Sequence, residues 1–212
     1  DTVIATLAAS YAARATMPLA TELANLAGGI VVGRLGTAVV HATDLTTALY
    51  TNRAISLQQK ILPRDTALAT VTNWKREGLT VGFTNGCFDI MHAGHISLLS
   101  DARASCDKLI VALNTDASVR GLKGPTRPVN AEMDRAQVLA ALACVDAVVL
   151  FDEETPLELL KLLTPDVLMK GADYKKEQVV GWQLVESYGG RVELLALKDG
   201  YSTTNIIKKM TA

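Results

Sequence analysis

The chain is poor in cysteine, in histidine and in charge of one sign. Its three cysteines (Cys87, Cys106 and Cys144) are odd in number and lack CxxC spacing. That excludes a disulfide framework and a cysteine-built zinc site, and points to reduced thiols in the cytoplasm. The 21 Lys and Arg residues are balanced by 22 Asp and Glu, so a nonspecific nucleic-acid binder is not expected. Long apolar runs are also missing. Arg14, Glu22, Arg34 and Asp44 interrupt the N-terminal apolar stretches well short of the roughly 18 residues a membrane span needs. Residues 1–13 lack the basic start of a signal peptide. There is no initiator Met, no internal repeat and no low-complexity tract, and the chain reads as a fragment of something larger. Any anionic ligand must therefore be met by a local constellation of side chains.

What is present suits a packed protein. With 212 residues, 49% hydrophobic and 20% charged, the chain can form one sizeable α/β domain with a smaller appendage. Residues 1–50 are rich in Ala, Leu, Thr and Val, with helical character over 2–13 and 19–32. No strand pattern accompanies these helices, so they are expected to need a sheet or a partner, which favours a homo-oligomer. Residues 51–78 read as a linker that turns helical around 68–77. From Leu79 onward, short β-branched runs alternate with amphipathic stretches. Strands are predicted at 80–84, 108–113, 147–151, 167–169 and 191–195, and helices at 93–105, 131–143, 155–163, 177–188 and from Thr203. Such alternation argues for a Rossmann-like, doubly wound parallel sheet, which binds ligands beyond the carboxyl ends of its strands.

The most informative stretch runs from Gly82 to His95, through Thr84, Asn85, Gly86, Phe88, Asp89, His92 and Gly94. It leaves a predicted strand and opens a predicted helix, a setting that attracts phosphate. Two of the chain's three histidines, His92 and His95, lie here three residues apart, on one side of a first helical turn. Gly94 lets a ligand approach the backbone. Three readings compete: ordinary helix-start residues, a metal-dependent hydrolase built on Asp89, His92 and His95, and a phosphate-handling pair for nucleotidyl transfer. The strand–loop–helix context favours the last, because the remaining histidine, His41, lies far away in the unlike N-terminal part.

Three further clusters could serve such a site. Residues 114–130 hold two glycines, two prolines and three basic side chains, and read as a surface loop. Asn114 and Asp116 open it, and Lys123 lies within it. Arg135 begins the next helix, and each of these cations could equally be a solvated surface charge; Arg120 and Arg127 are read as such. Gly171 and Asp173 follow the fourth strand, where Asp173 either meets a nucleoside or caps a helix. Near the end, Gly200 precedes Ser202, Thr203 and Thr204 at a helix start suited to anions.

Gly86 to His95 resembles the GxFDxxHxGH signature of the cytidylyltransferase-like nucleotidyltransferases. Within that group, TNGCFDIMHAGHISLL, ALNTDASVRGLKGPTRPVN and GYSTTNIIKK resemble segments of the adenylyltransferase half of the bifunctional heptose kinase/adenylyltransferases of lipopolysaccharide synthesis. DTVIATLA and ANLAGGIVVGRLGTAVV resemble the last helices of a ribokinase-type kinase. Asp1 would correspond to that kinase's base, but it stands without the preceding motif glycines, so no kinase activity is expected.

The resemblance implies transfer of AMP from ATP to D-glycero-β-D-manno-heptose 1-phosphate. A sister activity with CTP and glycerol 3-phosphate is the alternative. The resemblance assigns His92, His95 and Lys123 to catalysis. It assigns Thr84, Asn85, Gly86, Phe88, Gly94, Gly171, Asp173, Ser202, Thr203 and Thr204 to the nucleotide, and Asp89, Asn114, Asp116 and Arg135 to the other substrate. Mg²⁺ would be held mainly by phosphates.

Overall fold

A computed structural model describes residues 1–172 and 175–196. The chain divides into two compact units, residues 1–56 and 57–212.

The first unit is helical, with α1 (Thr2–Ala12), α2 (Met17–Val32) and the greater part of α3 (Ala42–Gln59). Pro18 stands in the first turn of α2, where its missing N–H costs nothing. Ala20, Ala24 and Ala27 form a buried stripe on α2, and their small side chains allow close approach. Large apolar side chains elsewhere in this unit stay exposed, including Ile4, Tyr11, Met17, Val32 and Val39. α3 lies beyond the helices expected at 2–13 and 19–32 and runs into the expected linker 51–78; polar and apolar residues alternate along it without a clear stripe.

The second unit is a five-stranded sheet in the order β3-β2-β1-β4-β5, with every pairing parallel. Its strands are β1 (Val81–Gly86), β2 (Lys108–Asn114), β3 (Ala147–Phe151), β4 (Val167–Gly171) and β5 (Arg191–Leu195). Side chains alternate between two cores, as a period of two demands. On one face Phe83, Ile110, Ala112 and Leu168 meet α4 (Arg64–Arg76), α8 (Leu157–Leu163) and α9 (Trp182–Ser187). On the other, Leu109, Val111, Leu113 and Met169 meet α5 (Ala93–Ala104) and α7 (Glu132–Ala140). Phe83, Leu109 and Leu168 are fully buried, each contributing about 1.5–3 kcal/mol of transfer free energy. Both faces are covered, as an all-parallel sheet requires.

Several local features depart from the sequence reading. Residues 60–62 lie along the outer edge of β3, where Val148 N–H donates to Lys60 O at 2.7 Å and Leu62 N–H to Val148 O at 2.8 Å. They cover an otherwise open edge. The helix α4 starts at Arg64 and contributes Ala67 and Val71 to the core, so this part of the expected linker packs on the sheet. The expected loop 114–130 contains an eight-residue helix, α6 (Asp116–Lys123), whose Thr115 hydroxyl accepts from Ser118 N–H at 3.2 Å. The expected helix 177–188 is a 3₁₀ turn (Lys176–Gln178) followed by α9; Gly181, at φ 90°, separates them. The helix expected from Thr203 lies outside the described residues.

Candidate active site

β1 and β4 are neighbours in the sheet, and the chain leaves them toward opposite edges: β2 and β3 on one side, β5 on the other. This is the point at which open parallel sheets form a crevice at their carboxyl ends. The histidine loop follows β1, and Gly171 closes β4. Lys170 Nζ bridges the two strands by donating to Asn85 O at 2.8 Å. Sequence reasoning passed over Lys170; the signal available was a cation at the end of an otherwise apolar strand, Val167-Leu168-Met169.

His92 is the N-cap of α5, in extended backbone, and His95 lies in the first turn. Their rings stack with centroids 3.8 Å apart and planes inclined by 20°. Phe88 meets His95 edge-on at 5.2 Å. Phe88 itself has φ 43°, a left-handed conformation that is uncommon for a bulky side chain and concentrates at functional sites. Gly86 accommodates its ring, since a Cβ there would come within 3.0 Å of Phe88 Cε2.

Burial, followed by the repulsion that a protonated His92 and Lys123 would exert on its charged form, pushes the His95 pKa down to about 4. Burial also lowers that of His92. Both imidazoles are therefore neutral near pH 7, and each carries a single N–H. Among the described residues, His95 Nδ1 is buried with no protein hydrogen-bond partner. Lys123, the last residue of α6, is exposed yet close enough to act on His95 through its charge. A helix start, two neutral imidazoles and a cation on a flexible stem are together an arrangement able to meet phosphate oxygens.

Thr84 is buried, Asn85 and Gly86 are half-buried at the end of β1, and Gly94 lies in the first turn of α5. Asp173, Ser202, Thr203 and Thr204 lie outside the described residues.

The remaining candidates are held by protein contacts. The Asp89 side chain is fully buried and ion-paired with Arg127. Its Oδ1 accepts from Val129 N–H at 2.7 Å and Asn130 N–H at 3.2 Å. Burial alone would raise its pKa, but Arg127 and the two backbone donors more than offset this and hold it below the usual carboxylate value. Asp89, His92 and His95 do not converge as a metal-binding group, and no other set of three or more His, Cys, Asp or Glu side chains does so among the described residues.

Arg127 and Arg135 are not solvated surface charges. Arg135, only 2% exposed, donates to Asn130 O (3.0 Å), Cys87 O (2.6 Å) and Asn114 O (2.9 Å), and pairs with Asp116 Oδ1 at 2.7 Å. Asn114 donates through Nδ2 to Ser118 Oγ at 2.9 Å. These contacts tie the histidine loop, the end of β2 and the start of α6 into one frame. Beside them, Phe88, Asp89, Met91, Asn130, Asp134, Arg135 and Val138 line a pocket of about 160 Å³.

A cytidylyltransferase-like family model matches residues 83–209. Bifunctional protein HldE of Caulobacter vibrioides is 58% identical over 212 residues, covering 100% of this chain and 44% of that protein. The protein of the same name from Paramagnetospirillum magneticum is 56% identical over 210 residues, covering 99% of this chain and 43% of its own length. The chain thus spans less than half the length of these relatives. The crystal structure of pantoate-beta-alanine ligase from Francisella tularensis resembles this fold with a TM-score of 0.51 at 17% identity, over 69% of this chain and 72% of that one. No helix among the described residues is long and apolar enough to cross a membrane.

Proposed function

From the premise that the chain belongs to the cytidylyltransferase-like family, we propose that it transfers AMP from ATP to D-glycero-β-D-manno-heptose 1-phosphate, giving ADP-heptose and pyrophosphate in the cytoplasm. The observation that carries this reading is the stacked, neutral histidine pair at the start of α5, placed at the switch point of a parallel sheet. The sugar and the base rest on the resemblance of residues 79–212 to heptose-phosphate adenylyltransferases. Matches at 56% and 58% identity over 99% and 100% of this chain, though under half of each relative, support a shared activity.

The nucleophile is a phosphate monoester with a second pKa of about 6, so it is already largely ionised at neutral pH and needs no general base. Its oxygen bonds to the α-phosphorus as the bond to the bridging α–β oxygen breaks, and pyrophosphate leaves with that electron pair. The chain's contribution is positioning and charge stabilisation. His92 and His95 each donate a ring N–H to α- and β-phosphate oxygens, and their neutrality lets them do so without repelling Lys123. Lys123 covers the phosphates, and Ser202, Thr203 and Thr204 receive the leaving pyrophosphate. Thr84 to Phe88, Gly94, Gly171 and Asp173 hold the nucleotide. Asn114, Asp116 and Arg135 frame the sugar-phosphate side. Mg²⁺, if bound, would be held mainly by phosphate oxygens and would supply neutralisation of their charge.

In this reading residues 1–50 are the closing helices of a ribokinase-type domain, without kinase activity of their own. Their exposed apolar side chains supply a surface for self-association.

Pyrophosphate release tests the proposal, with ATP and CTP each offered against heptose 1-phosphate and glycerol 3-phosphate. Release with ATP and heptose 1-phosphate alone is expected, and His95→Ala should lower kcat by about 10²–10³. Release only with CTP and glycerol 3-phosphate would move the chain to a sister activity. An unchanged kcat in His95→Ala would remove the histidine pair from the mechanism.

A further inference from the structure

We propose that Asp89 acts as a positioning residue for Lys123, through Arg127 and the segment 124–130, and not as a ligand of substrate or metal. The proposal rests on the phosphate role given to Lys123 above. Asp89 stands three residues before His92, on the same loop, and its carboxylate is buried. One residue makes four contacts to the connection between α6 and α7: the ion pair to Arg127, the two N–H donors of Val129 and Asn130, and Asp89 O, which accepts from Asn130 Nδ2 at 2.7 Å. Every one of these contacts reaches the segment that follows Lys123.

That segment has little else to hold it. Among the described residues its own backbone contributes two hydrogen bonds, from Gly124 N–H to Arg120 O at 2.9 Å and from Arg127 N–H to Gly124 O at 3.2 Å, and Arg135 grips its far end at Asn130 O. Gly124, directly after Lys123, has φ 92°, a conformation open to glycine, and closes α6 by donating its N–H to Arg120 O; the chain turns away from the helix here, and the next residues that fix its course are those held by Asp89. Lys123 is thus fixed on one side by the body of α6, where Val119 is buried, and on the other by Asp89. The same residue that anchors the histidine loop also sets the distance from that loop to the cation. Recruiting the Asp89 carboxylate as a metal ligand or acid would leave Arg127 with an uncompensated, largely buried charge, an arrangement that costs more than the pair is worth.

A double-variant cycle tests this by kcat for pyrophosphate release in wild type, Asp89→Asn, Lys123→Ala and the double variant. Asn keeps an oxygen for the Val129 and Asn130 N–H groups but removes the charge that holds Arg127. Misplacement of Lys123 should lower kcat about 10²-fold in Asp89→Asn, with little change in KM for ATP. If Asp89 acts through Lys123, the double variant should be no more than about threefold slower than the slower single variant. Losses that multiply would overturn the proposal, as would a full effect of Asp89→Asn where Lys123→Ala has none. Arg127→Gln, which leaves Asp89 and its backbone donors in place, should show the same non-additivity with Lys123→Ala, and Arg127→Lys should recover part of the rate. Should Asp89→Asn not fold, this second cycle decides. Wild-type protein that releases no pyrophosphate would overturn the transferase reading itself; active wild type with multiplying losses overturns only the positioning role.

Discussion

The depressed pKa of His95 makes the stability of this protein sensitive to mild acid. In an unfolded chain a histidine titrates near 6.5, whereas burial and the neighbouring charges of His92 and Lys123 lower His95 to about 4 in the fold. Between those values the unfolded chain binds a proton that the folded chain refuses. Stability is therefore fully present above about pH 6.5 and is lost as pH falls toward 4. Between about pH 7 and pH 5, the linkage amounts to about 2 kcal/mol at full strength. His95 is only partly buried, so solvent screening reduces the expected loss to about 1 kcal/mol. Urea unfolding at the two pH values, for wild type and His95→Gln, reads this directly. Wild type should lose about 1 kcal/mol more than the variant on acidification, while His92, held down by its own burial, contributes in the same direction in both. Equal losses in the two proteins would refute the reasoning, because the histidine would then be titrating as it does in water.

Two substitutions test the frame around the site. Arg135→Met should cost about 3 kcal/mol in urea unfolding, because it strands the carbonyls of Cys87, Asn114 and Asn130 and the Asp116 carboxylate; a loss below about 1 kcal/mol would show that water replaces the guanidinium freely. Gly82→Ala should cost about 1–3 kcal/mol in thermal or urea unfolding, because its Cβ would come within 2.5 Å of Met169 Cε and 2.6 Å of Cys106 Sγ; no loss would mean that both side chains retreat without strain.

The strands were legible because apolar, β-branched runs punctuated by turns leave few alternatives, and all five predicted strands overlap observed ones. Helices were legible where a stripe faces the sheet, as with Leu99 and Ala102 in α5 or Ala136, Leu139 and Ala140 in α7. The helix α6 escaped notice because Gly121 and the glycines and prolines that follow read locally as a loop, whereas its Thr115 cap and its buried Val119 stabilise one short helix. Residues 60–62 escaped for a different reason: their order comes from pairing with Val148, far away in sequence. The charged residues were the least legible. A cation such as Arg127 or Arg135 carries no mark in the sequence of whether water or a buried carboxylate will meet it.

The sequence by itself determined the alternation of strand and helix and the placing of two histidines at a helix start, because both are patterns of local period and local spacing. It also determined, through the residues from Gly86 to His95, the family to which the chain belongs. Only the tertiary structure decided that β1 and β4 lie side by side, which puts Lys170 over Asn85 and Gly171 beside the histidine loop. Only it decided that the imidazoles stack, and that Asp89 and Arg135 bind protein groups 38 to 41 and 5 to 48 residues away along the chain. The physical reason is that a pKa, an ion pair or a buried donor depends on which distant segments exclude water from it. That exclusion exists only once the sheet has brought those segments together.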